Sequence, residues 1–430
     1  MTAVAHVVRQ LKELEDLIIQ CSRCGTCQSV CPLYRKDWNE SSVARGKIFL
    51  LESLYQGKLE EATQTIFKYL DYCLLCGRCK TNCPSGVKTD QIFLKAKAIL
   101  RQVNQLPAWQ KLALNVAMRH PRLLAAMSPL FHFGLRLTTK KVDDGVFQPW
   151  GLSSPIIGKL SERHVVDMPA KSLTSRYGGF NRADNEKMRV IFYPGCAATL
   201  IYVDWGVAIV ETLKHYGVSV YVPKVNHCCG IPAATMGELD TYRKQVTENF
   251  TYFDSIQDAD TIITCCPTCE YGLGDSGERE SGRVRGKKML DVVLFLAEVL
   301  QVRLPHKIKL KGSSTLHIPC HYNHDKDRVL RQFILDNFET DFQDLENQSC
   351  CGFGGTFSIK NYPHTQQIGK LKADEIQDKG CQHLFTACPG CAMNLTDANW
   401  NAGLHVKATH PVAEIYQQAI KPQQEAHVGA

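Results

Sequence analysis

Two stretches near the N-terminus each carry four cysteines at the same spacing: Cys21, Cys24, Cys27 and Cys31, then Cys73, Cys76, Cys79 and Cys83. Both read C-x2-C-x2-C-x3-C-P, and every cysteine of the second bracket lies 52 residues after its counterpart. Three thiolates on one tight loop can grip three irons of a cubane 4Fe–4S cluster, but the chain cannot double back to supply the fourth. This spacing is that of paired cubanes in which the fourth cysteine of each bracket completes the other site. The ligand sets expected are therefore Cys21, Cys24, Cys27 and Cys83 for one cluster, and Cys73, Cys76, Cys79 and Cys31 for the other. A structural zinc site would more naturally pair two C-x2-C hooks. The chemistry such a pair supports is electron transfer.

The elements that must hold these loops read as helices. Leu11, Leu14, Leu17 and Ile18 keep a helical period up to Cys21, and Ile48, Leu51, Leu54 and Tyr55 do so between the brackets. Residues 60–72 and 89–103 continue the pattern. An all-α ferredoxin-type domain is expected over residues 1–104, followed by an irregular, proline-rich connector over 105–187 that ends in the loop Tyr177-Gly178-Gly179.

Beyond it the chain repeats itself. Strand-like runs at 189–193, 218–222 and 261–264 alternate with helical stretches at 203–215 and 242–256. They lead into Cys196, Cys228-Cys229-Gly230 and Cys266-Pro267-Thr268-Cys269. A second unit follows the same plan, with strands at 315–318 and 383–386 and helices at 327–338 and 365–378. Its cysteines are Cys320, Cys350-Cys351-Gly352 and Cys388-Pro389-Gly390-Cys391. Matching cysteines are offset by 124 residues for the first and 122 for the others. Two copies of one α/β fold, with parallel sheets and related by a pseudo-twofold, are expected over 188–310 and 311–430. Each cysteine group follows a strand end, so all converge on the carboxyl edge of a parallel sheet, where open α/β folds bind ligands. Buried free cysteines are also common as small core residues; for Cys265 and Cys381, outside the repeated pattern, that is the expectation.

A lone cysteine, a Cys-Cys-Gly and a C-x2-C at these separations resemble the cysteine-rich "CCG" domain. Two such domains behind a two-cluster helical ferredoxin resemble the glycolate oxidase iron–sulfur subunit family, which includes the corresponding subunits of D-lactate and anaerobic glycerol-3-phosphate dehydrogenases. The likeness spans nearly the whole chain, including residues 44–51 and 70–76. It implies two metal-ligand sets: Cys196, Cys228, Cys229, Cys266 and Cys269, and Cys320, Cys350, Cys351, Cys388 and Cys391. One or two further iron–sulfur clusters, cubane or non-cubane, would occupy them. The same domains occur in heterodisulfide reductases, and both motifs are complete here, which keeps a disulfide-reducing role open. His227, His317, His321 and His324 sit near these cysteines, either as ligands or proton relays or as ordinary structural histidines.

A 2-hydroxy acid surrenders two electrons, whereas a cubane accepts one, so a flavin must convert between them. No G-x-G-x-x-G follows an expected strand. The implied reading is an electron-transfer subunit that takes electrons from an FAD-dependent lactate or glycolate dehydrogenase and passes them to quinone or another acceptor, with further iron–sulfur or quinone-reducing subunits allowed as partners. No catalytic residue is assigned.

Composition agrees with this class. The 430 residues are 44% hydrophobic and 22% charged, and 20 are cysteine. Residues 1–20 carry Glu13, Glu15 and Asp16 and read as an amphipathic helix, not an export signal, so the cysteines imply metal ligation in a reducing cytoplasm. The formal charge of +7 is no nucleic-acid signal, because two oxidised cubanes with their thiolates remove about four positive charges. No apolar run reaches membrane-spanning length. Residues 112–137, where Arg and His interleave with Leu, Met and Phe, allow at most peripheral contact with the inner membrane face, or else form a docking segment between domains.

Overall fold

The computed structural model describes residues 3–108, 111, 120–143, 145–149, 162–322 and 324–428. Two compact units divide the chain, and they do not follow linear boundaries. One gathers Met1–Met118, Gly230–Arg243 and Ser349–Ile368; the other holds Arg119–Cys229, Lys244–Gln348 and Gly369–Ala430.

The first unit is helical among its described residues. Helices Ala3–Lys12, Ala44–Tyr55, Thr63–Asp71 and Thr89–Arg101 turn their periodic apolar residues onto one core containing Leu11, Leu51, Leu54, Ile92 and Leu100. The two later segments, each beginning next to a Cys-Cys-Gly motif, are fastened to this core by polar contacts. Lys97 Nζ donates to the Thr235 carbonyl at 3.1 Å, and Arg101 donates twice to the Met236 carbonyl at 2.9 and 2.7 Å. Lys360 pairs with Asp71 at 2.8 Å. The linear reading could not foresee this, because the recruited segments carry no helical-domain signature of their own.

The second unit contains three sheets. Strands β1 (Thr139–Asp143), β2 (Val146–Pro149) and β3 (Val165–Val166) form a small antiparallel sheet within the stretch read as an irregular connector. Residues 109–110, 112–119, 144 and 150–161 of that connector lie outside the described residues. The five-stranded sheet comprises β4 (Gly179–Asn181), β5 (Met188–Tyr193), β6 (Val218–Val222), β7 (Thr261–Thr264) and β8 (Lys288–Asp291), ordered β4-β6-β5-β7-β8. Only β4 runs antiparallel; it occupies the Gly178-Gly179 stretch read as a loop. The four-stranded sheet comprises β9 (Ile308–Leu316), β10 (Phe338–Phe342), β11 (Cys381–Phe385) and β12 (Ala408–Thr409), ordered β10-β9-β11-β12 and wholly parallel.

Leaving β4 aside, both sheets order their strands 2-1-3-4. The first and third strands are neighbours but send their connections opposite ways, so a crevice opens beyond their carboxyl ends. Val190 to Tyr193 are fully buried, as expected of a parallel strand covered on both faces. The edge strand β10 was hidden by its polar Glu339, Thr340 and Asp341, and β12 by its length of two residues.

No described helix is long and apolar enough to cross a membrane. Of the 112–137 segment, residues 112–119 lie outside the described residues; helices Pro121–Ala126 and Ser128–Thr138 leave Leu123, Leu130, Phe133 and Leu137 exposed.

Gly46 gives a test of the helical packing. Alanine normally stabilises a helix interior by about 1 kcal/mol relative to glycine. A Cβ at Gly46, however, would stand 1.9 Å from the Glu40 carbonyl oxygen, and backbone cannot swing aside. Gly46→Ala should therefore destabilise by about 1–3 kcal/mol, read as a lower midpoint in anaerobic thermal unfolding; a raised midpoint would contradict this packing.

Candidate metal centres

Both N-terminal cysteine loops share an unusual backbone. Arg23 and Leu75 adopt φ of +58° and +50°, and Gly25 and Gly77 follow at +85° and +72°. The left-handed residues fall at identical positions, between the first two cysteines and directly after the second. A non-glycine residue there costs on the order of 1–2 kcal/mol, and such strain concentrates at functional sites. Helices Thr26–Val30 and Arg78–Thr81 then start beneath the third cysteine of each loop.

Each loop borders its own cavity. Cys21, Cys24, Cys27 and Cys83 line one of about 350 Å³. Cys31, Cys73, Cys76 and Cys79 line another of about 510 Å³. The fourth cysteine of each bracket thus faces the cavity of the other, while Cys79 and Thr89 border both. The Thr89 hydroxyl lies 3.1 Å from the Cys79 sulfur, a contact no sequence motif announces. Burial, with the neighbouring Cys76 and Cys73 thiols adding to it, pushes Cys31 up to about 12. Cys76 is also raised, first by a hydrogen bond with Cys350 and then by burial. Crowded thiols of this kind stay protonated on their own, and metal binding requires that they lose those protons to a cation. An all-thiol, four-donor cavity fits a 4Fe–4S cubane.

In the sheet unit the cysteines stand just past the strand ends. Cys196 follows β5, Cys228 and Cys229 follow β6, and Cys266 and Cys269 follow β7. They are within hydrogen-bonding reach of one another: Cys196 with Cys228, and Cys269 with both Cys229 and Cys266. Those contacts raise Cys196 and Cys269 well above the ordinary thiol range, burial adding to the effect at Cys269, whereas Cys196 itself is exposed. Gly195, with φ +66°, makes the approach possible; a Cβ there would lie 2.7 Å from the Cys269 sulfur.

The second set divides differently. Cys388 and Cys391 follow β11 and Cys320 follows β9, whereas the buried Cys350 and Cys351 belong to the helical unit. Cys388 lies well below the usual thiol range because Cys266 and then Cys391 hydrogen-bond to it. The C-x2-C motifs of the two repeats therefore meet, which spacing alone did not reveal. Cys265 and Cys381 are buried on or beside strands.

His227 and His321 take ordinary partners. His227 Nδ1 lies 3.0 Å from Glu248, and its carbonyl accepts the Tyr193 hydroxyl at 2.6 Å. His321 stacks on Tyr271 at 4.8 Å and contacts Thr268 at 3.1 Å. His317 is buried, and the side chain of His324 lies outside the described residues.

Comparison with known proteins follows these sites. Residues 18–87 match the 4Fe-4S dicluster domain, and residues 190–274 and 314–396 each match the cysteine-rich domain. The chain is 24% identical to the probable glycolate oxidase iron–sulfur subunit of Bacillus subtilis, over 92% of this chain and 93% of that one. It is 23% identical to the glycolate oxidase iron–sulfur subunit of Escherichia coli, over 95% and 96%. Lactate utilization protein A of Geobacillus thermodenitrificans is 29% identical over 53% of this chain and 98% of its own.

Gly195→Ala should push the Cys269 sulfur aside and lower the metal content of the sheet unit, leaving the N-terminal sites intact. Iron per chain and EPR of the reduced protein measure this; wild-type content in both units would show that the close approach is dispensable.

Proposed function

This chain belongs to the iron–sulfur subunit family that includes the glycolate oxidase subunits, and from that premise we propose that it is the electron-carrying subunit of an FAD-dependent 2-hydroxyacid dehydrogenase. Lactate or glycolate is oxidised on a separate flavoprotein, and the electrons leave through this chain to quinone or another acceptor, further iron–sulfur or quinone-reducing subunits included. The observation that carries the reading is the pair of four-thiol cavities. Cys21, Cys24, Cys27 and Cys83 hold one 4Fe–4S cluster, and Cys73, Cys76, Cys79 and Cys31 hold the other. When bound, such groups supply one-electron steps that a flavin can feed in pairs.

Cys196, Cys228, Cys229, Cys266 and Cys269 hold a further cluster in the first cysteine-rich domain. Cys320, Cys388 and Cys391, with Cys350 and Cys351, are the donors for the second. The equal 2-1-3-4 strand orders support reading these domains as pseudo-twofold copies. The protein resides in the cytoplasm with at most peripheral contact with the inner membrane face, through the exposed Leu130, Phe133 and Leu137, the alternative being that this segment docks between domains. A disulfide-reducing role is favoured by one observation, the close approach of the Cys266 and Cys388 thiols, because thiol–disulfide exchange needs a second thiol within reach.

With the flavoprotein present, lactate or glycolate should bleach the visible iron–sulfur absorbance; the isolated chain should show no such response. Cys76→Ser should stop transfer to the terminal acceptor yet leave flavin reduction intact. Rapid disulfide reduction by the isolated chain with an artificial donor would replace this reading with the heterodisulfide-reductase-like one. Cys83→Ala should disturb the site of Cys21, Cys24 and Cys27; loss confined to the other site would overturn the cross-ligation.

A further inference from the structure

The two N-terminal sites differ sharply in the charges around them. Beside the first, Arg23 pairs with Glu52 at 2.6 Å and Arg45 with Glu40 at 2.6 Å. The Arg23 side chain is 55% exposed and that of Arg45 32%. Each cation is thus neutralised by a carboxylate and screened by water.

Beside the second, the cations are buried. Lys47 and Lys97 are each only 1% exposed. Lys47 lines the cavity and donates to the Ser42 carbonyl, and its charge acts on Cys31. Lys97 is close enough to Cys73 and Asp71 for their charges to act on it, and it donates to the Thr235 carbonyl at 3.1 Å. Asp71 is shared between Lys97 at 3.9 Å and Lys360 at 2.8 Å. Arg78 borders the cavity, and Asp90, which also borders it, pairs with Lys80 at 2.9 Å. Lys80 and Lys360 are 39% and 31% exposed and paired with Asp90 and Asp71, so they count no more than Arg45 does; the cations that set the second site apart are the buried Lys47 and Lys97.

We propose that Lys47 and Lys97 are positioning residues that make the second site, held by Cys31, Cys73, Cys76 and Cys79, the electron sink of the helical unit. This rests on the cluster assignment above. An added electron makes a thiolate-bound cluster more negative, and nearby cations in a low-dielectric site favour that state more than solvated ion pairs do. Electrons entering at the first site, where Cys24 is exposed, therefore run downhill to the second, whose Cys76 thiol meets Cys350. The buried lysines thereby give the relay a direction.

The test is an EPR-monitored redox titration of the full holo-chain. In the wild type the two cubanes should titrate apart, and Cys76→Ser should perturb the one of higher potential. Lys47→Met and Lys97→Met should each disfavour its reduction about tenfold, a fall of about 59 mV for one electron, while Lys47→Arg should keep the wild-type value. Glu52→Gln, which keeps the side chain's size beside the solvent-exposed Arg23, should raise the other potential and narrow the gap even if the buried-lysine variants fail to fold. Two cubanes with equal or inverted potentials, or potentials unmoved in these variants, would overturn the inference and leave the cluster assignment standing. Absence of two cubane signals in the wild type would overturn both.

Discussion

Four thiols sharing one cavity repel one another as soon as they ionise, and where burial adds to the cost, as at Cys31 and Cys76, the arrangement persists only around a cation or with its protons retained. Much of the helical unit follows from that constraint. Each loop must curl tightly enough to aim three sulfurs inward, which the left-handed Arg23–Gly25 and Leu75–Gly77 turns accomplish at the expense of backbone strain. The fourth donor must come from elsewhere, which obliges the two brackets to lie side by side. Helix Ala44–Tyr55, between them in sequence, sets that spacing with its buried apolar face and the glycine at 46.

How much of this the sequence discloses depends on whether a signal is local. The cysteine brackets, the helix at 203–215 and the strands at 218–222 and 261–264 coincide with observed elements, because periodicity and spacing act within a few residues. The strand β10 was not legible, since an edge strand need bury little and its polar residues look like loop. Nor were the buried lysines: Lys47 and Lys97 sit in helices where a lysine ordinarily faces water. Their burial is decided by Ser42 and Thr235, residues that carry no motif. The meeting of Cys266 with Cys388 was equally hidden, because spacing within each repeat says nothing of how the repeats face one another.

The common strand order has a consequence for those meeting thiols. In each repeat the first and third strands flank the crevice of the sheet, so the cysteines after them share one edge. In the first repeat the thiols of Cys228 and Cys196, and of Cys229, Cys269 and Cys266, form hydrogen-bonded groups, and the latter continues to Cys388 and Cys391 in the second. Groups so closely linked share their protons, and no single thiol among them has an ionisation that belongs to it alone.

The recruitment of Gly230–Arg243 and Ser349–Ile368 into the helical unit also bears on how the protein is made. The ribosome delivers both cysteine brackets early, yet Lys97 lacks its Thr235 acceptor and Asp71 its Lys360 partner until most of the chain has emerged. At about 5–20 residues per second the interval is on the order of tens of seconds. During that time the helical unit has its own apolar core but lacks these fastenings. The interleaved chain path thus makes completion of the earliest unit wait on the last third of the chain.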